Sequence, residues 1–196
     1  MKNICVFCGS SPGEREAYIT TARRLGGLLA QRGLTLIYGG GNSGLMGEIA
    51  RAALQANGKV IGVIPRSMEQ RELAHRGVTE LHVVDNMHQR KALMAELADG
   101  FIAMPGGLGT LEEIAEALTW AQLEFHHKPC GLLNVDGFYD PLALFFDHMV
   151  VEGFLHPQHR ALALVSADPQ ELLDQFECYA PNHVDKIALA HKKRVV

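Results

Sequence analysis

Short, almost unbroken apolar runs alternate along this chain with longer stretches in which apolar residues return every three or four positions. The runs are "NICVFCG" (3–9), "LTLIYG" (34–39), "KVIGVI" (59–64), "LHVV" (81–84), "GFIAMP" (100–105), "KPCGLLN" (128–134) and "LALV" (162–165). Their length and β-branched character predict strands. Helical spacing falls at 14–32, 44–57, 87–98, 110–125, 138–152 and 169–178. Strands that are apolar throughout are buried on both faces, as in a parallel sheet held between two layers of helices. Right-handed crossovers then give a single-domain, Rossmann-like, doubly wound α/β fold: a parallel sheet of about seven strands with helices on both faces. No repeat, low-complexity segment or linker divides it. The domain is expected over 1–180, with 181–196 as a C-terminal tail.

In such sheets ligands bind beyond the carboxyl ends of the strands. Glycine-rich text follows the first, second and fifth strands: "CGSSPG", "YGGGNSG" and "MPGGLGT". One such turn is an ordinary tight connection. Three converging on one edge point to a phosphorylated ligand held by backbone N–H groups at helix N-termini. Candidate contacts are Ser10, Gly40 and Gly41 in the first two turns, and Pro105, Gly106, Gly107, Leu108, Gly109 and Thr110 in the third. Gly39 to Gly44 satisfies G-x-G-x-x-G, but on the second strand, and the third strand ends in "VIPR" without the carboxylate a dinucleotide ribose needs. Arg66 leaves an NADP-type reading formally open. A Walker loop is excluded, because no G-K-[ST] is present.

Composition narrows the partners. The 196 residues are 47% hydrophobic and 20% charged, ordinary for a soluble globular protein. A net charge of −4 speaks against nucleic acid, and the cationic run His191 to Arg194 reads as a solvated tail. No stretch nears the roughly 20 apolar residues of a membrane span, and "ICVFCGSS" reads as a strand rather than a signal peptide. A cytoplasmic protein with no membrane partner is expected. Cys5 and Cys8 form C-x-x-C but point to opposite faces of a strand. With Cys130 and Cys178 they are expected to be buried thiols.

Two helix starts carry the chemistry. Thr110-Leu111-Glu112-Glu113 matches the capping box S/T-x-x-E, with Thr110 as N-cap, and that alone accounts for Glu113. Glu112 in the same first turn favours the helix dipole. In "DNMHQRKALM" (85–94), Asp85 or Asn86 can cap a helix whose first turn holds His88, Arg90 and Lys91. Cations there oppose the dipole, so they are better explained by an anionic ligand, which arginine grips bidentately.

"PGGLGTLEE" (105–113) and "MHQRKALM" (87–94) resemble the paired PGGxGTxxE and M-H-x-R-K motifs of the LOG family, cytokinin-activating phosphoribohydrolases also carried under the label "putative lysine decarboxylase". The resemblance covers roughly residues 1–180 and implies a homodimer and hydrolysis of the N-glycosidic bond of nucleoside 5′-monophosphates. Substrates would be N6-substituted adenine riboside monophosphates, AMP, or both, giving free base and ribose 5-phosphate. The family's catalytic pair falls on Arg90 and Glu113. Its substrate contacts fall on Lys91, the run Gly107 to Glu113, Thr119 and Glu72.

Such hydrolysis builds positive charge on the ribose, which a carboxylate stabilises while aligning the attacking water. Glu113 is the candidate for that role. Arg90 would orient ribose or phosphate, or assist the leaving group. No metal or organic cofactor is required. A lysine decarboxylase would need a pyridoxal phosphate lysine, and Lys91, beside an arginine in a first helical turn, lacks that context. A non-catalytic nucleotide-binding or sensor protein of the same fold is the remaining alternative.

Overall fold

A computed structural model of the chain describes residues 1–69 and 74–180. The strands are β1 (Asn3–Phe7), β2 (Thr35–Tyr38), β3 (Val60–Pro65), β4 (Glu80–Val84), β5 (Gly100–Ala103), β6 (Cys130–Leu133) and β7 (Ala163–Ser166). All pair in parallel, in the order β4-β3-β2-β1-β5-β6-β7. The helices are α1 (Glu16–Gln31), α2 (Gly44–Gln55), α3 (Arg66–Glu69), α4 (Met87–Leu97), α5 (Leu108–Gln122), α6 (Asp140–Val151), α7 (Pro157–Arg160) and α8 (Pro169–Glu177). This is the doubly wound fold that the pattern predicts. The single turns α3 and α7, and the 3-10 turn Val135–Gly137, are additions too short to produce a periodic signal.

Alternation along each strand sorts the core into two layers. Ile4, Val6, Leu36, Tyr38 and Ile102 pack with α1, α2 and α8, whereas Cys5, Phe7, Ile37, Phe101 and Ala103 pack with α4 and α5. Cys5 and Cys8 fall in different layers, as their strand positions require, and burial pushes both thiols up. Cys130 is buried as well, its thiol pushed up to about 12. Cys178 departs from expectation: it follows the last turn of α8 and is exposed. His126 is half-buried against the Phe101 ring, its imidazole bonded to the Ala117 carbonyl, and burial lowers its pKa.

Strand order reverses between β1 and β5, and ligands of open α/β sheets bind over that switch point. Gly9 ties the turns there together: its N–H donates to the Pro105 carbonyl (3.0 Å) and its carbonyl accepts from Met46 N–H at the start of α2 (3.3 Å). The Tyr139 hydroxyl donates to the Met104 carbonyl (2.6 Å), fixing the end of β5 just before its glycine turn.

Candidate active site

A cavity of about 350 Å³ lies over the switch point. The ends of β1 and its turn (Phe7 to Ser10), Gly39, Met46, Met68, the α4 residues Met87, Arg90 and Met94, and the α5 start from Gly107 to Thr110 with Glu112 and Glu113 line it. A larger open hollow of about 570 Å³, between α1 and α2, holds Arg23, Glu48 and Arg51. There Glu48 already accepts from Arg23 (2.6 Å) and Arg51 (2.7 Å), which holds its carboxyl below the usual range. Both arginines are already engaged with that one carboxylate, and none of the glycine turns borders this hollow.

Arg90 is a buried cation held by backbone. Its Nε donates to the Val63 carbonyl and its Nη2 to the Gly39 carbonyl, each at 3.1 Å, and only 6% of the residue is exposed. A Cβ on Gly39 would collide with Nη2, so residue 39 is glycine for Arg90's sake. Those two carbonyls occupy one edge of the guanidinium. Nη1 lies 3.7 Å from the Met87 sulfur, and both residues line the cavity. The Asn86 side chain caps α4 by accepting from Gln89 N–H (3.0 Å).

Helix α5 begins two residues earlier than its spacing implies, with Gly107 as N-cap and no side-chain cap bond. Thr110 is therefore inside the first turn, its side chain buried beside Gly106. Glu113 is the sixth residue of the helix, beyond reach of a capping box, so that explanation of the carboxylate falls away. Its charge helps raise the pKa of Cys8, after burial and against the opposing pull of Arg90. Cys8 thus stays a neutral thiol, unsuited to act as a nucleophile.

Lys91 does not line the cavity. It donates to Glu112 and Glu116 of α5, each at 3.0 Å, tying the two helices together, and these bonds raise its pKa. Gly40 and Gly41 sit behind the turn: the Gly40 carbonyl accepts from His75 N–H, and Gly41 bridges to Ala74. Pro105 is buried and Gly106 packs on Gly9. Thr119, exposed, borders a separate hollow of about 210 Å³ between α5, α6 and α7. Glu72 lies outside the described residues. The sequence reading missed Gly39 and the methionines; Gly39 was visible only as one glycine of three in a row.

A family model described as "Possible lysine decarboxylase" matches residues 46–176. The probable cytokinin riboside 5′-monophosphate phosphoribohydrolase LOGL5 of Oryza sativa subsp. japonica is 50% identical over 96% of this chain and 76% of its own length. The chain belongs to the LOG family. Another LOG protein, the cytokinin riboside 5′-monophosphate phosphoribohydrolase LOG1 of Arabidopsis thaliana, is 49% identical over 95% of this chain and 87% of its own. The molybdenum cofactor carrier protein of Chlamydomonas reinhardtii, a solved structure, is 26% identical, covers 91% of this LOG chain and 99% of its own, and superposes with a TM-score of 0.69. The decarboxylase description fits the site poorly. A Schiff-base lysine needs a depressed pKa, and Lys91 is shifted the other way.

Proposed function

We propose that this LOG-family protein hydrolyses the N-glycosidic bond of nucleoside 5′-monophosphates, N6-substituted adenine ribosides and AMP among them. The observation that carries the reading is one cavity, over the sheet's switch point, joining the open start of α5 to Arg90 and Glu113. The 5′-phosphate accepts from the N–H groups of the Gly107–Thr110 turn, where the helix dipole favours an anion. The ribose then lies toward Glu113. As the C1′–N bond breaks, its electron pair leaves with the base, and positive charge spreads over C1′ and the ring oxygen. The Glu113 carboxylate stabilises that charge and accepts a proton from the water whose oxygen bonds to C1′. Arg90, fixed by two carbonyls, orients the nucleotide or supports the departing base. The base takes up a proton, and ribose 5-phosphate is the second product.

Quantifying both products tests this. Free base and ribose 5-phosphate should appear in equal amounts from AMP or N6-isopentenyladenosine monophosphate. Nucleotide binding without either product would instead establish the sensor reading.

The same reading includes a homodimer in the cytoplasm. Supporting the first, α6 buries none of its residues, and Leu144, Phe145, Val151 and Phe154 stand 51–89% exposed. An apolar patch of this kind marks an interaction surface, and a second copy is its proposed occupant. Sedimentation velocity should give twice the monomer mass. No helix among the described residues is long and apolar enough to cross a membrane.

A further inference from the structure

The glycine turn after β5 has little of its own to hold it in place. Pro105 has no N–H to continue the pairing with β1, and Gly106 and Gly107 have no side chains to pack. A Cβ on Gly107 would meet nothing within 4 Å. Two consecutive carbonyls anchor the segment, each to a different element. The Pro105 carbonyl accepts from Gly9 N–H (3.0 Å) on the turn after β1. The Met104 carbonyl accepts from the Tyr139 hydroxyl (2.6 Å) on the loop before α6. Between Met104 and Gly107, the N-cap of α5, lie only Pro105 and Gly106.

Tyr139 is itself held firmly. Its N–H donates to Asn134 Oδ1 (2.7 Å), and Asn134 Nδ2 donates to the Asp140 carboxylate (2.7 Å), bracing the loop between β6 and α6. Its ring meets Phe138 edge-on with centroids 5.0 Å apart, and Phe138 meets Tyr18 of α1 at 5.9 Å. Tyr139 is buried, which raises its pKa, so the hydroxyl remains a donor throughout the neutral range. It does not line the cavity.

We propose that Tyr139 is a positioning residue for phosphate: by holding the Met104 carbonyl, its hydroxyl sets where the N–H groups of Gly107 to Thr110 stand. It thereby sets the affinity for a 5′-phosphate that it does not touch. The inference rests on the phosphate site that the hydrolase reading proposes at α5, and adds the residue that fixes its geometry. Met104 is fully buried, and a buried carbonyl stripped of its donor is driven to find another. The segment that then shifts carries the start of α5 with it, and hydrogen bonds to an anion weaken as alignment is lost. Tyr38 supplies the contrast. It ends β2 on the other face of the sheet, just as buried, and its hydroxyl has no partner among the described residues.

The test reads ribose 5-phosphate binding by calorimetry, which needs no turnover, beside KM and kcat for AMP. Tyr139→Phe removes one oxygen and keeps the ring's packing, so the fold survives, as a melting curve checks. It should weaken ribose 5-phosphate binding and raise the KM for AMP by about 10-fold each, the worth of one hydrogen bond to a charged group, with kcat near wild type. Tyr38→Phe should change neither. Phe176→Leu loosens the packing of α8 on Gly100, at the other end of β5; it should lower the melting temperature and leave both constants unmoved. Ribose 5-phosphate affinity unchanged in Tyr139→Phe overturns the proposal. An equal loss in Phe176→Leu overturns it as well, by marking a general loosening. Failure of the wild type to bind ribose 5-phosphate overturns the phosphate site and the role of Tyr139 with it. If the wild type binds ribose 5-phosphate but cleaves no AMP, the hydrolase reading alone falls, and the binding arm still decides the role of Tyr139.

Discussion

Helices α4 and α5 both open on the same edge of the sheet, and both first turns border the same cavity, yet they begin in opposite ways. Asn86 closes the start of α4 with its own side chain. The cations that follow oppose the dipole, but each has fixed acceptors: carbonyls of Val63 and Gly39 for Arg90, carboxylates of Glu112 and Glu116 for Lys91. Helix α5 begins on Gly107, with no side chain to accept from its first N–H groups. The first start is completed by the protein, and the second is left for something else to complete. That contrast supports the proposed anion site at α5, with the Arg90 guanidinium of α4 held rigidly beside it.

Substitutions can break the contrast from either side. The largest effect is expected from Glu113→Gln, which removes the charge facing the ribose. Turnover should fall by about 100-fold or more, the scale of a positioned acid or base, with the melting temperature near wild type. Activity retained in that variant would return Glu113 to a structural role. Gly39→Ala acts on Arg90 without touching it. The new methyl displaces Nη2, and a misplacement of about 1 Å should lower kcat by about 100-fold. Overpacking should also cost about 1–3 kcal/mol in denaturant unfolding. Gly107→Asp makes the start of α5 resemble that of α4. A capping carboxylate should add a few tenths of a kcal/mol of stability. It would also compete for the phosphate's donors, so KM should rise about 10-fold, the worth of one hydrogen bond to a charged group. Stability and activity moving together would contradict the open-turn account. The smallest effect is expected from Lys91→Met, which loses two ion pairs at the helix–helix seam and hence under about 1 kcal/mol. The raised pKa of Lys91 sets the alkaline limit: Lys91 is fully charged below the unfolded value of about 10.4, and its contribution is lost as pH rises beyond its raised folded value. Thermal melts of wild type and variant should therefore converge as the pH is taken into strong alkali.

The seven strands, their parallel pairing and the helices between them were legible because each element is long and consistently patterned. The start of α5 was misjudged by two residues because Gly107 caps it without a polar side chain, leaving Thr110 as the conspicuous candidate. That misplacement kept the capping-box explanation of Glu113 alive. Strand ends were drawn too long, as at β1, because apolar Cys8 continues into the turn beyond Phe7. Arg90 and Glu113 stood out through motif and charge placement. What fixes Arg90 did not, since its acceptors lie 27 and 51 residues away in sequence and are backbone carbonyls, which no residue type betrays. Lys91 illustrates the converse: read as an anion contact, it meets carboxylates on the neighbouring helix, a pairing set by how α4 and α5 pack.

In the proposed arrangement α5 grips phosphate while Glu113 serves the ribose one step along the cavity. It is tested most directly by comparing the wild-type enzyme on N6-isopentenyladenosine with and without its 5′-phosphate. Removing the phosphate should lower kcat/KM by at least about 100-fold, from losing two or more charged-group hydrogen bonds of about 1.5–3 kcal/mol each. Equal cleavage of nucleoside and nucleotide would contradict it, because the open turn would then hold nothing that the reaction needs.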